Sequence, residues 1–195
     1  MSRRMGRLKM LLPFGDRPML ARVIESLLES RAASPIIVVT GHAAEEISAV
    51  AVEYKDVVRT HNPDYATGGM LSSVKTGVRA LPPTSDAFYL VLGDQPMVRP
   101  STLIALRAAW HPESVPIVAP AFQGKRGHPL LISSRLAEEI LELGEDDTLK
   151  TLIVRKADKV CAVPVDDPAT VQDVDTPDDY QAALRQWREM GVVHG

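Results

Sequence analysis

The sequence predicts a three-layer α/β/α sandwich around a mostly parallel β-sheet. Short, β-branched apolar runs such as PIIVVTG (35–41) recur along the chain and alternate with helical stretches. This alternation is typical of α/β domains, and strands that are apolar on both faces are typical of buried parallel sheets. A length of 195 residues fits a single domain, which we assign to residues 1–195.

The first half of the chain contains three predicted helices and three predicted strands. Residues 16–33 place apolar side chains on one helical face, and Asp16 and Pro18 suit the start of that helix. Residues 62–69 are rich in turn formers and therefore predict a loop. The other elements of this half are strands at 35–41, 56–60 and 86–96 and helices at 44–54 and 70–81.

The second half continues the alternation and ends on a helix. At 176–190, Thr176 can cap that helix, Pro177 suits its first turn and Asp179 completes a capping box. The remaining elements are helices at 100–110, 133–143 and 146–156 and strands at 115–122, 129–133 and 159–165.

Composition argues against several classes of function. A net charge of −3 argues against general nucleic-acid binding, and a single cysteine excludes a disulfide framework and a cysteine-rich zinc site. No apolar run approaches the roughly 18 residues of a membrane span, and no signal peptide is evident, so we expect a cytoplasmic protein without membrane contact. The GxxxxGK[ST], GxGxxG and GxSxG motifs are absent.

Two acidic stretches lie where an α/β sheet binds its ligands, in loops beyond the ends of strands. Asp94 in LGDQP follows a long apolar run, so its carboxylate could bind a hard cation or satisfy backbone N–H groups in a turn. Asp173 and Asp175 in DVDTPDD precede a helix, so they could bind a cation or act as capping residues. The residues alone leave both interpretations open.

Two basic loops add a phosphate-binding pattern. SRRMGRLK (2–9) carries four cations around a glycine, and GKRGHP (124–129) carries two, with His128 as either a substrate contact or a turn residue. Mg²⁺ binds carboxylates and phosphates together, and Arg and Lys neutralise the remaining phosphate charge. The combination favours metal-assisted phosphate chemistry.

Five stretches then carry a family resemblance. They are SRRMGRLKMLLP, GGMLSSVKTGV, LGDQPMV, GKRGHPLL and DVDTPDDY, in that order and spanning residues 2–180. With them the chain resembles the MobA-like nucleotidyltransferases of molybdenum cofactor maturation, and within these the cytidylyltransferase type. The resemblance implies a Rossmann-like sandwich of the nucleotide-diphospho-sugar transferase type.

The resemblance also implies roles for the nucleotide-binding positions. Arg4 and Lys9 would be the catalytic cations that grip the triphosphate. Gly6 would let the backbone approach it, and Ser2 begins the matched loop. The residues expected near the base and ribose are Gly69, Ser72 and Ser73.

For the reaction itself, the resemblance implies transfer of CMP from CTP to molybdopterin with release of pyrophosphate. Asp94 and Asp175 would hold Mg²⁺, and the acceptor would meet Lys125, Arg126 and His128. A molybdenum hydroxylase or its chaperone is the protein partner that this role suggests. Two alternatives stay open: a reaction with GTP or with another phosphorylated acceptor such as a sugar phosphate, and a non-catalytic protein that binds a nucleotide or cofactor.

The sequence departs from the family pattern at two places. The family begins with a strand and a Leu-Ala-Ala-Gly turn, and neither precedes Ser2, so we expect either a misplaced or trimmed start or a shortened protein with a weakened sheet and weaker nucleotide binding. The second departure is GEDDTLKTLI (144–153), where Lys150 could replace the family's basic residue. Because this loop would lie near the acceptor, it leaves the acceptor open.

Overall fold

A computed structural model describes residues 8–144 and 146–192 of the chain. Helices and strands alternate as the sequence predicts. The helices are α1 (Met19–Ser30), α2 (Ala44–Ala51), α3 (Gly69–Arg79), α4 (Pro100–Ala109), α5 (Ala137–Glu142), α6 (Leu149–Arg155) and α7 (Pro177–Val192). The strands are β1 (Pro13–Phe14), β2 (Arg17–Pro18), β3 (Ile36–Thr40), β4 (Val57–His61), β5 (Ala87–Leu90), β6 (Ile117–Phe122), β7 (Lys125–Arg126), β8 (Leu130–Ser133) and β9 (Val160–Pro164).

The larger sheet forms the best-buried part of the protein. Strand β8 lies between β5 and β6 and runs antiparallel to both, so β5 and β6 point the same way, and β9 pairs with β6 in parallel. All four residues of β8 are buried, as are the first four of β6. This sheet therefore sets the direction in which the loops after β5 and β9 emerge.

In the described part of the chain the smaller sheet consists of β3 and β4, paired in parallel from Ile36–Val57 to Thr40–His61. Within the described residues, β3 pairs only with β4 and β5 pairs only with β8, so each strand has one edge without a ladder partner. The residues of β5 are only half-buried. Helix α3 spans the two sheets, because Gly77 faces Val39 of β3 while Val74 and Val78 pack with the core of the larger sheet.

The segment before α1 differs from its prediction. Asp16 does not cap the helix, which begins at Met19 after Pro18 and has no side-chain cap. Residues 13–18 instead form a tight hairpin of β1 and β2, and Asp16 pairs with Arg22. In the hairpin the Asp16 carboxylate therefore meets the Arg22 guanidinium rather than the free N–H groups at the start of α1.

Helix α7 begins as the sequence predicts. Asp179 Oδ2 accepts hydrogen bonds from the Thr176 and Asp175 N–H groups, and the Asp179 N–H donates to Thr176 Oγ1. This capping box fixes the residues that directly follow the second acidic stretch. Farther along, Trp187 packs edge-on against Phe14 and under the Arg22 guanidinium, which ties α7 to the hairpin.

None of the helices in the described ranges is long and apolar enough to cross a membrane.

Candidate active site

The two acidic stretches meet at a single lysine. Lys9 begins a 3-10 turn (Lys9–Leu11), and its Nζ pairs with the Asp94 carboxylate and lies 2.8 Å from Asp175 Oδ1. Nζ also donates to the Val174 carbonyl oxygen at 3.1 Å. We call Asp94 and Asp175 the acidic pair. The sequence predicted all three side chains as site residues, and the structure brings them together.

The acidic pair also determines the charge of Lys9. Burial alone lowers the pKa of its ammonium, but hydrogen bonds and charge from Asp175 and Asp94 outweigh that effect and raise the pKa above its usual 10.5. The lysine side chain is 13% exposed, against 22% for Asp94 and 65% for Asp175. Lys9 is therefore a firmly protonated cation between an inner and an outer carboxylate.

The acidic pair fits a hard divalent cation that shares its ligands with a substrate. The described residues contain no group of three or more His, Cys, Asp or Glu side chains arranged to hold a metal. Mg²⁺ needs no such protein cage, since it commonly takes one or two carboxylates and completes its shell with phosphates and water. A cation already sits between these carboxylates, in the form of the Lys9 ammonium. Asp94 and Asp175 are therefore the residues that would hold Mg²⁺.

The predicted acceptor residues lie on a turn that is docked against Thr170, a few residues before the second acidic stretch. Lys125 and Arg126 are exposed on β7, and the His128 N–H donates to the Thr170 carbonyl oxygen at 2.8 Å. A Cβ on Gly127 would lie 1.9 Å from that same oxygen, so only glycine allows this approach. The turn thus presents two cations to solvent while its backbone is fixed from behind.

His128 belongs to the docked turn, and its ring is influenced by the acidic residues. Burial lowers the pKa of its imidazole, while a backbone hydrogen bond at Leu90 and the charges of Asp173 and Asp94 act in the opposite direction. The net pKa lies below the ordinary 6.5, so the ring is neutral near neutral pH. A neutral imidazole can donate or accept a hydrogen bond without adding charge.

The residues predicted to lie near the base and ribose form a separate group at the start of α3. Ser72 Oγ donates to the Gly69 carbonyl oxygen, and the Asn62 side-chain amide donates to Ser72 Oγ at 2.8 Å and to Ser73 Oγ at 3.1 Å. Asn62 is fully buried, and its own N–H donates to the Thr40 carbonyl oxygen. It therefore fixes both serines relative to the end of β3.

Three of the predicted nucleotide-binding residues, Ser2, Arg4 and Gly6, lie outside the described residues. Their roles stay predictions from the sequence. Lys9, from the same predicted loop, lies within the described residues, and there it contacts the acidic pair.

Sequence reasoning missed three buried polar residues that organise the site: Asn62, Gln95 and Asp167. Gln95 follows Asp94 directly, and its Nε2 reaches the Gln172 carbonyl oxygen at 3.4 Å and Asp173 Oδ1 at 3.3 Å. The rule that selected Asp94, a polar residue beyond the carboxyl end of a strand, also fits Asn62 directly after β4.

Asp167 joins the two acidic stretches through the start of α4. Its Oδ2 accepts hydrogen bonds from the Arg99 N–H at 2.9 Å and from Thr102 Oγ1 at 2.7 Å, and its Oδ1 accepts from the Ala169 N–H. The side chain belongs to a residue that is only 2% exposed. We call Arg99, Thr102, Asp167 and Ala169 the Asp167 junction. It connects the segment after Asp94 to the segment before Asp175.

Fold and site together define a class of protein. Asp94, Asp175 and Lys9 meet beyond the strand ends of a Rossmann-like sandwich, which is where folds of this type bind their ligands. The family model of the MobA-like NTP transferase domain matches residues 1–170. The chain belongs to the MobA-like NTP transferase domain family, which confirms the family that the sequence motifs predicted.

Individual relatives agree with this assignment. The molybdenum cofactor cytidylyltransferase of Escherichia coli (strain K12) is 29% identical over 97% of this chain and 94% of the relative. The structure of an Rv0371c homologue from Mycobacterium sp. strain JC1 matches with a TM-score of 0.78 at 30% identity, covering 97% of this chain and 92% of that one. Rv0371c of Mycobacterium tuberculosis H37Rv, solved in complex with manganese, matches with a TM-score of 0.75 at 28% identity, covering 92% and 93%.

Proposed function

We propose that this protein is a divalent-metal-dependent cytidylyltransferase that transfers CMP from CTP to the terminal phosphate of molybdopterin and releases pyrophosphate. The observation that carries the proposal is the meeting of Lys9 with Asp94 and Asp175. Similarity to a molybdenum cofactor cytidylyltransferase over 97% of the chain supports the choice of nucleotide and acceptor.

The acidic pair and Lys9 would offset different negative charges in the reaction. Asp94 and Asp175 would hold Mg²⁺, which when bound offsets phosphate charge and aligns the reacting groups. Lys9 would bind the triphosphate and stabilise the negative charge that develops on the leaving pyrophosphate. A single donor of this kind is worth about 3–4 kcal/mol in other transition states.

The bond changes require little proton transfer. An oxygen of the acceptor phosphate bonds to the α-phosphorus of CTP, the bond from that phosphorus to the bridging oxygen of the β-phosphate breaks, and pyrophosphate leaves. A phosphate monoester already carries about 1.5 to 2 negative charges at pH 7, so it can attack without a strong general base. The neutral ring of His128 suits a positioning hydrogen bond rather than charge neutralisation.

The two remaining groups of predicted site residues would bind the acceptor and the nucleoside part of CTP. The exposed cations Lys125 and Arg126 would contact the anionic acceptor, since guanidinium groups bind phosphate in a bidentate manner. On the other side, Gly69 and the serines held by Asn62 would lie near the base and ribose. The docked turn and the buried amide keep both groups in place before substrate arrives.

A pyrophosphate-release assay tests this proposal. The purified protein is incubated with Mg²⁺ and molybdopterin, with CTP or GTP as the second substrate. We expect release that needs metal and acceptor and is faster with CTP. Faster release with GTP would overturn the choice of base, release only with a sugar phosphate would overturn the acceptor, and no release with any pair would favour a non-catalytic protein.

A further inference from the structure

Lys9 occupies the position that a metal ion on the acidic pair would need. Its ammonium contacts the carboxylates of both Asp94 and Asp175 and also the Val174 carbonyl oxygen. Oxygens at hydrogen-bonding distance around one cationic centre are also what a hard divalent ion binds. One set of oxygens therefore serves two different cations.

The two cations exclude each other on electrostatic grounds. An ammonium and a divalent ion that both touched Asp94 and Asp175 would lie within a few ångströms of one another, where like charges repel strongly. The pair carries two negative charges, so one lysine leaves a net charge of −1 and a divalent ion alone leaves none. Metal binding must therefore move the Lys9 ammonium away.

The surroundings allow the side chain to move while the backbone stays. Leu8, Met10 and Leu11 flank Lys9 and pack against the cluster that contains Leu20, Ile24 and Val38. The 3-10 turn is thus fixed by apolar contacts on both sides of Lys9. The four-carbon stem of lysine is flexible and its ammonium is a compact charge with three donors, so the ammonium can turn to a new partner without movement of the backbone.

We infer that Lys9 is a displaceable counterion: it neutralises the acidic pair in the empty protein and transfers to the phosphates when a nucleotide brings the metal. The inference rests on the proposed function, because the nucleotide supplies the alternative partner for the ammonium. It follows that metal alone binds weakly, and that metal and CTP each tighten the binding of the other by the same factor. The protein thereby selects the metal–nucleotide complex over free metal.

A Mn²⁺ titration followed by electron paramagnetic resonance tests the inference. Wild type is compared with Lys9→Met, which cannot compete for the acidic pair, and with Lys55→Met, which removes an exposed lysine elsewhere. Without nucleotide we expect Lys9→Met to bind Mn²⁺ about tenfold more tightly than wild type, on the scale of a lost hydrogen bond to a charged group. Lys55→Met should match wild type.

Two further variants control for folding and for charge. Lys9→Gln retains a donor for the Val174 carbonyl oxygen and should also tighten Mn²⁺ binding, whereas Lys9→Arg keeps the cation and should not. With CTP present, wild type should gain about tenfold in Mn²⁺ affinity, and Lys9→Met should gain much less.

The outcomes separate this inference from the proposed function. Equal or weaker Mn²⁺ binding by both Lys9→Met and Lys9→Gln would overturn the counterion role, even if wild type released pyrophosphate normally. If CTP left Mn²⁺ binding by wild type unchanged and no pyrophosphate were released, the proposed function would fail, and the counterion role would fail with it.

Discussion

The Asp167 junction and the acidic pair both depend on aspartate side chains, but these aspartates have opposite surroundings. Asp167 is almost fully buried and accepts hydrogen bonds from three donors. Two of them, the Arg99 N–H and Thr102 Oγ1, lie at the start of α4, and the third is the Ala169 N–H, two residues after Asp167. Asp94 and Asp175 are partly or largely exposed, and their shared partner is the ammonium of Lys9. When fixed N–H and O–H donors satisfy the hydrogen-bonding capacity of a carboxylate, that carboxylate is structural. When its partner is a single cation on a flexible side chain, the carboxylate is free to take another ligand.

The largest effect that separates the two regions is expected from Asp94→Asn. The amide keeps the size of the side chain but loses the charge that would hold metal, so turnover should fall about a thousandfold while the melting temperature changes little. Asp86→Asn, an exposed aspartate at the opposite end of β5, is the matched control. A fully active Asp94→Asn protein would show that Asp94 is only a turn residue.

An N-terminal extension should raise stability and nucleotide affinity together. Within residues 8–144 and 146–192, β3 pairs only with β4 and β5 only with β8, so an added apolar strand followed by Leu-Ala-Ala-Gly and one more residue, about ten residues in all, could pair with the other edge of either strand. We expect a higher melting temperature and about hundredfold tighter CTP binding, because a strand that pairs with the sheet fixes the direction of the backbone N–H groups that follow it. A Gly/Ser extension of equal length is the control. Equal stability and affinity in both would show that the strand is not needed.

Asp167→Asn should produce the reverse pattern to Asp94→Asn. The amide cannot accept all three hydrogen bonds and places an N–H₂ group against other donors, which should cost about 3 kcal/mol of unfolding free energy. For a protein of this size that is a fall of about 6–12 °C in melting temperature. Asp166→Asn, at the exposed neighbouring position, should change stability by less than about 0.5 kcal/mol. An undiminished melting temperature for Asp167→Asn would remove the distinction between the regions.

The difference between these aspartates also explains what the sequence could and could not predict. Asp94 and Asp175 stand in motifs whose order along the chain identifies the family, and the alternation of elements predicts the sandwich. Asp167 stands beside Asp166 in VPVDDPAT, and nothing local shows which of the two is buried. Likewise, the contact of Lys9 with Asp175 joins residues 166 positions apart, so it depends on how the strands assemble rather than on local pattern. The hairpin at 13–18 is a local feature instead: it takes Asp16 away from the helix start, and Asp16 pairs with Arg22 rather than capping α1.

A smaller effect is expected on the acceptor side, where an exposed side chain extends from an anchored backbone. Arg126→Lys should weaken molybdopterin binding about tenfold because lysine cannot form the bidentate contact, while CTP affinity and melting temperature stay unchanged. Arg185→Lys, on the exposed face of α7, is the control. If CTP affinity fell as much as acceptor affinity, Arg126 would belong to the nucleotide side.

The smallest effect concerns pH and His128, whose N–H donates to the Thr170 carbonyl oxygen and whose ring is influenced by the charges of Asp173 and Asp94. Because the pKa of His128 is lowered in the folded protein, chiefly by burial, the unfolded chain binds a proton first as the pH falls. This contribution to stability is therefore complete above the unfolded pKa of 6.5 and is lost as the pH falls below it. We therefore follow the melting temperatures of wild type and His128→Asn from about pH 7.5 to about pH 5.5. The melting temperature should fall less in the variant than in wild type over this range. Parallel curves would contradict a buried, neutral imidazole.

Product analysis tests the central claim most directly, because pyrophosphate release alone does not show where CMP goes. The protein is incubated with Mg²⁺, molybdopterin and CTP labelled at the α-phosphate, and the products are separated and identified by mass. We predict one CMP joined to the acceptor through a new phosphoanhydride bond for each pyrophosphate released, and almost none with Asp94→Asn. Formation of free CMP or CDP without a labelled acceptor, at a rate that Asp94→Asn leaves unchanged, would contradict the account.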